Sequence, residues 1–491
     1  MTSPRRVDLS VFLAVIVWLT LSGLLLGWAT TAQPRPAALV LVAASVVIWG
    51  TGLRAAVLWI RAAGHRADRF GDLPASDLRV AALYCVTDDV DLSAIALSAH
   101  GDADIVILDD SRGPATRDRI DRFAAQLGCR ILRRPDRVGA KAGNLNHAVA
   151  ALRGQYDAYL ICDSDVVLPA GLVAACSAVL ASPDVAVAQA MPVAARGTTW
   201  FSRYFGPLLA THLGVTRRGR AAGGVTAFLG RGALVRATAI DDAGGFPTVV
   251  AEDLAFTIAL RRRGWRVVDV AATFTEDYPV DYRAFRAQMR KTTEGAVELL
   301  RVRGWARGIP LRETLDIVIE TALVPAAAVA GIVAVVAGTT VAAAGSPPPV
   351  WMMVTGATSA LLPLLPEAVR RVREHGTAAG VVFALLGGAL YASTTFVVLG
   401  AALRVGVGRR AVFTVTPKKA VGSDVRERLT MLRPDLVIAL LIMTVAVLAS
   451  GSALGLAAPL LPLVLALTFS VLRVPTAARS VIAVSRVGAR I

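Results

Sequence analysis

Apolar residues are concentrated in long segments near both ends of the chain, on either side of a stretch of mixed composition. Segments 9–30 and 37–60 come first, and the mixed stretch extends from about residue 66 to residue 310. Each of the two segments is long enough to cross a hydrocarbon core ~30 Å thick at ~1.5 Å per residue. The later segments predicted to cross are 314–344, 350–365, 436–450 and 453–472. The pattern therefore predicts six membrane spans around one water-soluble domain.

Basic residues beside the first two segments predict their orientation. Arg5 and Arg6 precede the first segment, and Arg61, Arg66 and Arg69 follow the second, whereas the connection between them carries one charge. Positive residues favour the cytosolic side of a membrane. Because six spans return the chain to its starting side, both termini and the soluble domain are expected in the cytoplasm.

A further segment, 377–405, is apolar and long enough to span, but both of its flanks are basic. A single crossing would place one basic cluster outside the cytosol, which the charge rule disfavours. We therefore predict an interfacial or re-entrant helix here, with a break at Gly387 and Gly388.

The composition agrees with a membrane protein that has basic cytosolic parts. The 491 residues are 55% hydrophobic and carry a formal net charge of +16, and the mean hydropathy is +0.59. These values argue against an ordinary soluble enzyme. The four cysteines lie in one internal region without a CxxC pair, which is typical of a reduced, cytosolic domain. No nucleic-acid partner is expected.

The soluble stretch alternates strand-like and helix-like patterns. The apolar runs LRVAALYCV, ADIVILDD, CRILRR, AYLICDSD and VAVAQAMPV are separated by helical patterns such as PATRDRIDRFAAQLG. This alternation predicts an α/β fold with a mostly parallel sheet that is covered on both faces. In such sheets, ligands bind at the carboxyl ends of the strands.

Two acidic clusters follow predicted strands. Asp109 and Asp110 end one strand, and Asp163 and Asp165 end another. Carboxylates at strand ends can simply cap the next helix, and either cluster alone is open to that interpretation. Together, in one α/β unit, they favour a site where a hard divalent cation holds a phosphate.

Lysine is rare in this chain, so its positions are informative. Of the 52 basic residues, four are lysines: Lys141, Lys291, Lys418 and Lys419. The lysine ammonium acts as a compact point charge on phosphate, whereas the arginine fork requires planar geometry. The positions could be a chance scatter. We prefer the hypothesis that three separate segments converge on one polyanionic substrate.

Six short motifs occur in a characteristic order along the chain. They are Asp109-Asp110, AKAGNLN, Asp163-Ser164-Asp165, AED at 251–253, Gln288 with Lys291, and FTVTPK at 413–418. In this order, and with an apolar C-terminal half, the chain resembles the family-two glycosyltransferases of the cellulose synthase type. The resemblance implies a cytosolic, Rossmann-like GT-A domain that takes a sugar from a nucleotide-diphosphate sugar, most simply a UDP-sugar, and adds it to a glycan entering a transmembrane channel.

The resemblance also implies a role for each motif residue. Mg²⁺ or Mn²⁺ would be held by Asp165 with Asp163 and would stabilise the leaving diphosphate, and Asp253 would be the general base of an inverting displacement. Asp253 also fits an ordinary helix start, where acidic residues stabilise the helix dipole. The nucleotide-sugar contacts implied by the family are Asp109, Asp110, Lys141, Asp163, Gln288, Lys291, Thr416 and Lys418.

The chain departs from the family pattern where polymer synthases read Q-x-x-R-W. Here Lys291 and Thr292 replace the arginine and the tryptophan that packs against the acceptor sugar. Three functions therefore remain open. The first is a processive synthase that makes and exports a β-linked polysaccharide. The second is a non-processive transferase acting on a lipid carrier or membrane glycolipid, and the third is a transporter with a nucleotide-sensing domain.

These interpretations predict five regions. They are an N-terminal hairpin (1–65), the GT-A domain (66–310), membrane and interfacial helices (311–404), a gating loop that closes over the donor (405–434) and a final membrane pair with a basic tail (435–491). The alternative for the loop is a basic segment on anionic lipid. We expect a multi-pass protein of a plasma membrane, most simply the bacterial inner membrane, in contact with lipids; a partner subunit is left open. The aromatic group at 200–205 predicts either a sugar platform or a helix on the bilayer surface.

Overall fold

The computed structural model describes residues 8–64, 77–88, 90–195, 197, 199–221, 224–412, 425–453 and 457–471. Its N-terminal part is a hairpin of two long helices, α1 (Leu9–Ala29) and α2 (Arg35–Gly64). The Asp8 carboxylate caps α1 by accepting from the backbone N–H of Ser10 at 3.0 Å, and it also accepts from Arg61 Nε at 2.7 Å. This ion pair holds the start of α1 and the end of α2 on the same side.

A seven-stranded sheet forms the centre of the soluble domain. Its strands are β1 (Val80–Val86), β2 (Asp104–Asp109), β3 (Arg130–Leu132), β4 (Ala158–Asp163), β5 (Val185–Ala194), β6 (Ala233–Arg236) and β7 (Arg266–Glu276). They lie in the order β3-β2-β1-β4-β6-β5-β7. All neighbouring pairs are parallel except those of β6, which runs antiparallel to β4 and β5. The predicted α/β fold with a mostly parallel sheet is confirmed.

Helices cover both faces of the sheet. They are α3 (Leu92–Leu97), α4 (Pro114–Leu127), α5 (Ala140–Ala151), α6 (Leu172–Leu180), α8 (Ala237–Ala243) and α9 (Glu252–Arg262). Successive residues of one strand enter different cores: Leu160 packs with Tyr84 on one face, and Ile161 packs with Tyr159 and Phe256 on the other. Burial on both faces explains why the strands read as continuous apolar runs.

The remaining helices connect the domain to the apolar part of the chain. They are α7 (Trp200–Ala221), α10 (Tyr282–Arg301), α11 (Leu311–Ala343), α12 (Val350–Leu361), α13 (Leu365–His375), α14 (Thr377–Ala392), α15 (Thr395–Gly406), α16 (Val425–Ser450) and α17 (Ala457–Val471). A buried ion pair joins α10 to α16, since Arg286 Nη1 lies 2.7 Å from Asp435 Oδ2. The soluble domain is thus fastened to the apolar helices through α10.

Six helical segments among the described residues are long and apolar enough to cross a membrane. They are Leu9–Ala29, Arg35–Gly64, Leu311–Ala343, Val350–His375, Thr377–Gly406 and Arg426–Ser450. The number agrees with the sequence prediction, but the membership differs. By length and composition, segment 377–405 is a candidate span rather than the predicted interfacial helix, and the last apolar segment is a shorter helix, Pro459–Val471.

The predicted break inside segment 377–405 is also displaced. Helix α14 ends at Ala392 and α15 begins at Thr395, so the interruption lies at Ser393 and Thr394 and not at Gly387 and Gly388. The hydroxyl groups of Ser393 and Thr394 donate to the carbonyls of the residues three positions back, at 2.5 and 2.8 Å. Such local bonds compete with the backbone ladder of a helix.

The aromatic group at the start of α7 is part of a packed cluster. Phe201 and Phe205 are buried against Phe285, Phe383 and Phe469. The Arg371 guanidinium lies over the rings of Tyr204 and Phe383, at 4.5 and 4.1 Å from their centroids. These aromatic residues therefore join α7 to the apolar helices instead of forming the sugar platform that was one of the two predictions.

Candidate active site

A single large cavity begins at the carboxyl ends of the strands and continues between the apolar helices. Its volume is about 2110 Å³. Pockets for small ligands typically measure about 300 to 1,000 Å³, so this cavity has room for more than one such ligand. Its wall brings together predicted site residues from five segments of the chain, namely Asp110, Lys141, Asp163, Asp165, Asp253, Gln288 and Lys291. Asp109 is absent from the described residues of this wall.

Lys141 and Asp163 form an ion pair inside the cavity. Lys141 Nζ lies 2.5 Å from Asp163 Oδ1 and donates a second hydrogen bond to the Gly230 carbonyl at 2.8 Å. Lys141 lies in the first turn of α5, and Asp163 is the last residue of β4. Burial, the largest single influence, would lower the pKa of Lys141, but the Asp163 charge together with the other negative neighbours outweighs it and the pKa is raised. The lysine is therefore a fixed positive charge at the strand ends.

Gly230 lies between that lysine and the predicted base. A methyl group added at Gly230 would lie 3.5 Å from Asp253 Cβ and 3.8 Å from Lys141 Nζ, so both side chains flank the same backbone position. Asp253 lies in the first turn of α9, where its Oδ1 accepts from the backbone N–H of Leu254 at 2.7 Å. The residue thus occupies a helix start and the cavity wall together, so its two predicted roles are compatible.

Glu252, next to Asp253, also lines the cavity. Burial raises its pKa from 4.5 to about 7, and the Asp253 charge acts in the same direction. The negative charge of Asp253 thus disfavours a second negative charge at Glu252 on this poorly hydrated wall. This titratable group lies beside the predicted base, and sequence reasoning did not single it out.

The turn at 229–232 forms part of the cavity wall and is held from beneath by Gln189. The amide of this fully buried side chain accepts from the Leu229 N–H at 2.9 Å and donates to the Arg231 carbonyl at 2.8 Å. Gly232 has a positive φ of 62°, and a side chain there would overlap the Phe274 ring. The conformation therefore requires glycine.

Arg231 projects from this turn toward two acidic groups. It forms a bidentate ion pair with Glu276, at the end of β7, and its Nε lies 4.0 Å from Asp163 Oδ2. Arg231 and Lys141 thus approach different oxygen atoms of the same carboxylate. Glu276 and Arg231 both line the cavity, although neither was predicted.

Asp109 and Asp110 differ in their surroundings although they are adjacent. Asp109 is buried, and its two oxygens accept from Arg133 Nε at 2.7 Å and from the Ser111 N–H at 2.8 Å. Asp110 lines the cavity and makes a bidentate pair with Arg134, at 2.9 and 2.7 Å. The structure thus gives Asp109 a supporting position behind Asp110. Thr87 and Asp88, at the end of β1, are cavity residues that the motifs did not indicate.

Helix α10 contributes Gln288, Lys291 and Thr292 to the cavity wall. Among the described residues, the buried Gln288 Oε1 and the buried Tyr278 hydroxyl oxygen have no hydrogen-bond partner. Both residues line the cavity. Because buried polar atoms are normally hydrogen-bonded, these two atoms suit a ligand with hydroxyl groups.

The strand-end carboxylates fit the predicted metal in kind and number. Carboxylate oxygens suit Mg²⁺ and Mn²⁺, and Mg²⁺ commonly uses one or two carboxylates together with substrate phosphates. No group of three or more histidine, cysteine or acidic side chains suited to a metal occurs within the described ranges. The protein therefore offers Asp163 and Asp165, and a diphosphate would have to complete the coordination.

The last predicted motif, with Thr416 and Lys418, lies outside the described residues. The chain leading to it is held by Glu294 of α10. This buried carboxylate accepts from the Val412 N–H at 3.2 Å and from Arg404 Nη2 at 2.5 Å. Val412 is thus bonded to a residue three positions after Lys291 in the same helix.

Comparisons with known proteins find a matching family. The family model described as Glycosyl transferase family group 2 matches residues 159–415, more than half of the chain. A cellulose synthase 1 catalytic subunit [UDP-forming] of Komagataeibacter xylinus is 30% identical over 199 residues, which are 37% of this chain and 26% of that protein. A glucans biosynthesis glucosyltransferase H of Rhodopseudomonas palustris is 27% identical over 230 residues, covering 41% of this chain and 31% of that protein. The chain thus spans less than a third of each relative.

Among solved structures, the mannosyltransferase PcManGT from Pyrobaculum calidifontis, in complex with GDP-Man and Mn²⁺, is similar to 70% of this chain and 97% of its own. The sequences are 21% identical, and the TM-score is 0.48.

Proposed function

The chain belongs to glycosyl transferase family group 2, and on that premise we propose that it is an inverting membrane transferase that moves a sugar from a nucleotide-diphosphate sugar to an acceptor hydroxyl. The observation that carries the proposal is the continuous cavity. Its wall combines strand-end carboxylates, lysines from two segments and Asp253, and it continues between the apolar helices. A donor and an acceptor can therefore enter the cavity from different sides and meet inside it.

The basic residues of the wall suit the leaving diphosphate. Cleavage of the bond to the anomeric carbon leaves negative charge on the diphosphate, and preorganised cations stabilise such charge in the transition state. Lys141 of α5 and Lys291 of α10 would supply the positive charge. Asp110 would contact the nucleoside. Mg²⁺ or Mn²⁺ on Asp163 and Asp165, when bound, would act as a Lewis acid on the same oxygens.

Asp253 is suited to the acceptor. A general base must lie within hydrogen-bond reach of the proton that it removes. With Asp253 on the wall beside Gly230, a hydroxyl in the cavity could transfer its proton to the carboxylate while its oxygen attacks the anomeric carbon opposite the diphosphate. One in-line displacement inverts the anomeric centre, so an α-linked donor would give a β-linked product.

Two acceptors fit this route. The first is a growing β-linked polysaccharide that passes between the apolar helices and is exported, which the length of the cavity supports. The second is a lipid carrier or membrane glycolipid, which Thr292 supports because it replaces the tryptophan that would pack against an acceptor sugar. A transporter is not proposed, since the chain belongs to a transferase family.

The six apolar helical segments support a multi-pass membrane protein. The basic flanks of the first hairpin support a cytoplasmic domain and cytoplasmic termini, in a plasma membrane such as the bacterial inner membrane. Membrane lipids would surround the helices.

Nucleotide release by the purified protein tests the proposal. UDP-glucose, UDP-N-acetylglucosamine and GDP-mannose are incubated separately with the protein and Mg²⁺ or Mn²⁺, with and without chelator. We expect one donor to release its diphosphate in a metal-dependent way, and Asp165→Ala to abolish metal-dependent binding of that donor. If the purified protein bound and cleaved none of the three nucleotide sugars, even with membrane extract added as a source of acceptor, the transferase function would be contradicted.

A further inference from the structure

The part of the cavity between the apolar helices has a composition that bears on the acceptor. One face of α11 lines it from Ile317 to Ala342, at intervals of three and four residues. This face is about 38 Å long at ~1.5 Å per residue, which exceeds a hydrocarbon core of ~30 Å. Residues of α2 and α12 also line this part. We call this part the membrane chamber.

The membrane chamber has almost no charge. Among the described lining residues of α2, α11 and α12, Glu320 has the one charged side chain, and it lies at the end nearest the catalytic carboxylates. Leucine, valine, alanine, glycine and methionine make up most of the remaining wall, with Val335, Gly338 and Met352 as examples. A ligand in the chamber is therefore surrounded mainly by hydrocarbon.

Several hydroxyl groups in the chamber already donate hydrogen bonds within their own helices. Ser45 donates to the Leu41 carbonyl at 2.8 Å, and Thr339 donates to the Val335 carbonyl at 3.0 Å. A glycan threaded here would lose hydrogen bonds to water and would find few replacements, which is costly for each polar group. The wall thus disfavours a chain of sugars along this route.

Trp49, an aromatic residue of the chamber wall, is also engaged. Trp49 Nε1 donates to Thr355 Oγ1 at 3.0 Å, and its ring stacks on Trp351 with centroids 6.0 Å apart. Stacking on aromatic rings is a common way to hold sugars, and here one face of the tryptophan is covered by another tryptophan.

Apolar side chains of the chamber wall are accessible. Val324, Val335 and Met353 line the chamber with exposed fractions of 45%, 43% and 53%. A hydrocarbon chain in the chamber would cover this apolar surface, and such burial is favourable.

Polar residues separate the chamber from the catalytic carboxylates. His212 and Thr216 of α7, with Arg220 and Glu320, line this boundary. Arg220 is fixed there, because its Nε and Nη2 both donate to Asp316 Oδ2, at 2.9 and 2.8 Å. From the membrane inward, the order of the wall is apolar, then polar, then catalytic.

We propose that the acceptor is a lipid with a hydroxyl-bearing head group, such as a glycolipid, whose hydrocarbon chain lies in the membrane chamber along α11. The head crosses the polar boundary and presents its hydroxyl to Asp253. The inference rests on the proposed transferase function and decides between the two acceptors in favour of the lipid. A hydroxyl is required, because a base at Asp253 has a proton to remove from an alcohol and none from an ionised phosphate. The new bond joins the acceptor oxygen to the anomeric carbon, the diphosphate leaves with the bonding electron pair, and the proton passes to Asp253.

The test compares products formed in native membranes. Vesicles that contain the wild-type protein are incubated with each of the three labelled nucleotide sugars, and the label is partitioned between organic solvent and water and then sized. We expect the label in the organic phase, on a lipid enlarged by one sugar. Label in a long polymer that stays out of the organic phase would overturn the inference and leave the transferase function intact. An absence of both incorporation and nucleotide release would instead contradict the transferase function.

A variant that fills the chamber supplies a second measurement. Gly331 lines the chamber and has no atom within 4 Å of an added Cβ, so Gly331→Leu places new atoms in the open space. We expect lipid-linked product to fall at least tenfold while donor affinity stays within twofold. Gly23→Leu is the matched control, because Gly23 of α1 is equally open and lies away from the cavity. Equal product from the two variants, with donor binding retained, would refute the placement of the lipid chain.

Discussion

Lys141 Nζ lies 2.5 Å from Asp163 Oδ1, so the ammonium contacts an oxygen that the sequence motifs assign to a metal ion. The motifs made Lys141 a contact of the nucleotide sugar and placed Asp163 on the cation. The structure shows the two residues as partners, with Gly230 as the second acceptor of the lysine. A divalent cation that used this oxygen of Asp163 would have to displace the ammonium, which would then be available to the diphosphate.

This pairing predicts the behaviour of Lys141→Met. Removal of the ammonium eliminates the competitor for Asp163, so Mn²⁺ should bind the donor-free protein at least about tenfold more tightly, since a charged hydrogen bond contributes about 1.5 to 3 kcal/mol. The donor KM should rise, because a cation near the diphosphate is lost. Mn²⁺ binding is measured by electron paramagnetic resonance without donor. Lys291→Met is the control, with a raised donor KM expected but the Mn²⁺ titration unchanged; unchanged Mn²⁺ affinity in Lys141→Met would argue against competition.

Asp253→Asn should separate transfer from donor binding. The amide keeps the shape of the side chain and its position in the first turn of α9, but it cannot accept the acceptor proton. Loss of a positioned general base typically lowers the rate ~10²- to 10⁴-fold. Transfer is measured by product formation and donor affinity by calorimetry. Asp241→Asn makes the same chemical change at an exposed position, and near-wild-type turnover in Asp253→Asn would reduce Asp253 to a helix-start residue.

Glu252 predicts a pH dependence of stability. Because its pKa is raised from 4.5 to about 7, the folded protein keeps a proton in this interval that the unfolded chain has lost. Stability from this group is therefore present at low pH and is lost as the pH rises toward 7, by roughly 3 kcal/mol at ~1.36 kcal/mol per pKa unit.

Glu252→Gln copies the protonated form and should remove this loss. Thermal unfolding in detergent between pH 5 and pH 8 measures this pH-dependent loss of stability. The variant should gain stability relative to wild type as the pH rises. Glu374→Gln, at an exposed glutamate, is the control with no such gain. If the stability of wild type and Glu252→Gln changed in parallel with pH, Glu252 would have the same pKa in the folded and unfolded states.

The motif at 413–418 gives a prediction from the sequence alone, since it lies outside the described residues. If Thr416 and Lys418 contact the diphosphate as the family resemblance implies, the double variant Thr416→Ala with Lys418→Ala should lower transfer sharply in detergent without anionic lipid. Arg410→Ala removes a nearby charge outside the motif and should have little effect there. Losses that appear only in anionic membranes, and equally in both variants, would favour a lipid-binding segment.

Strands β1, β2, β4 and β5 were predictable because each is an apolar run buried largely on both faces, and the edge strand β3 was predictable from its short apolar run although its residues are exposed or half-buried. β6 and β7 were not predicted, and their sequences explain why. β6 has four residues, Ala233–Arg236, too few to show a period. β7 contains Asp269, whose charge interrupts the apolar pattern and is compensated by Arg217 of α7, 52 residues earlier in the chain.

Contacts between distant segments also explain the misplaced break in segment 377–405. A pair of glycines suggests flexibility, but Gly387 and Gly388 serve close packing. A Cβ added at Gly388 would lie 3.1 Å from Leu361 Cδ2, so the missing side chain admits a neighbouring helix. In the same way, the motifs placed Asp163 and Lys141 at one site, but the ion pair between them depends on the tertiary structure.

The rigid turn at 229–232 limits how the donor preference of this protein could be altered by laboratory evolution. Gly232 excludes any side chain because of Phe274, and Gln189 fixes the turn from a fully buried position. Substitution libraries directed at this turn would mainly yield misfolded proteins. Diversity placed at Tyr278 and Thr292, on other parts of the wall, would sample new sugar shapes while leaving this turn intact.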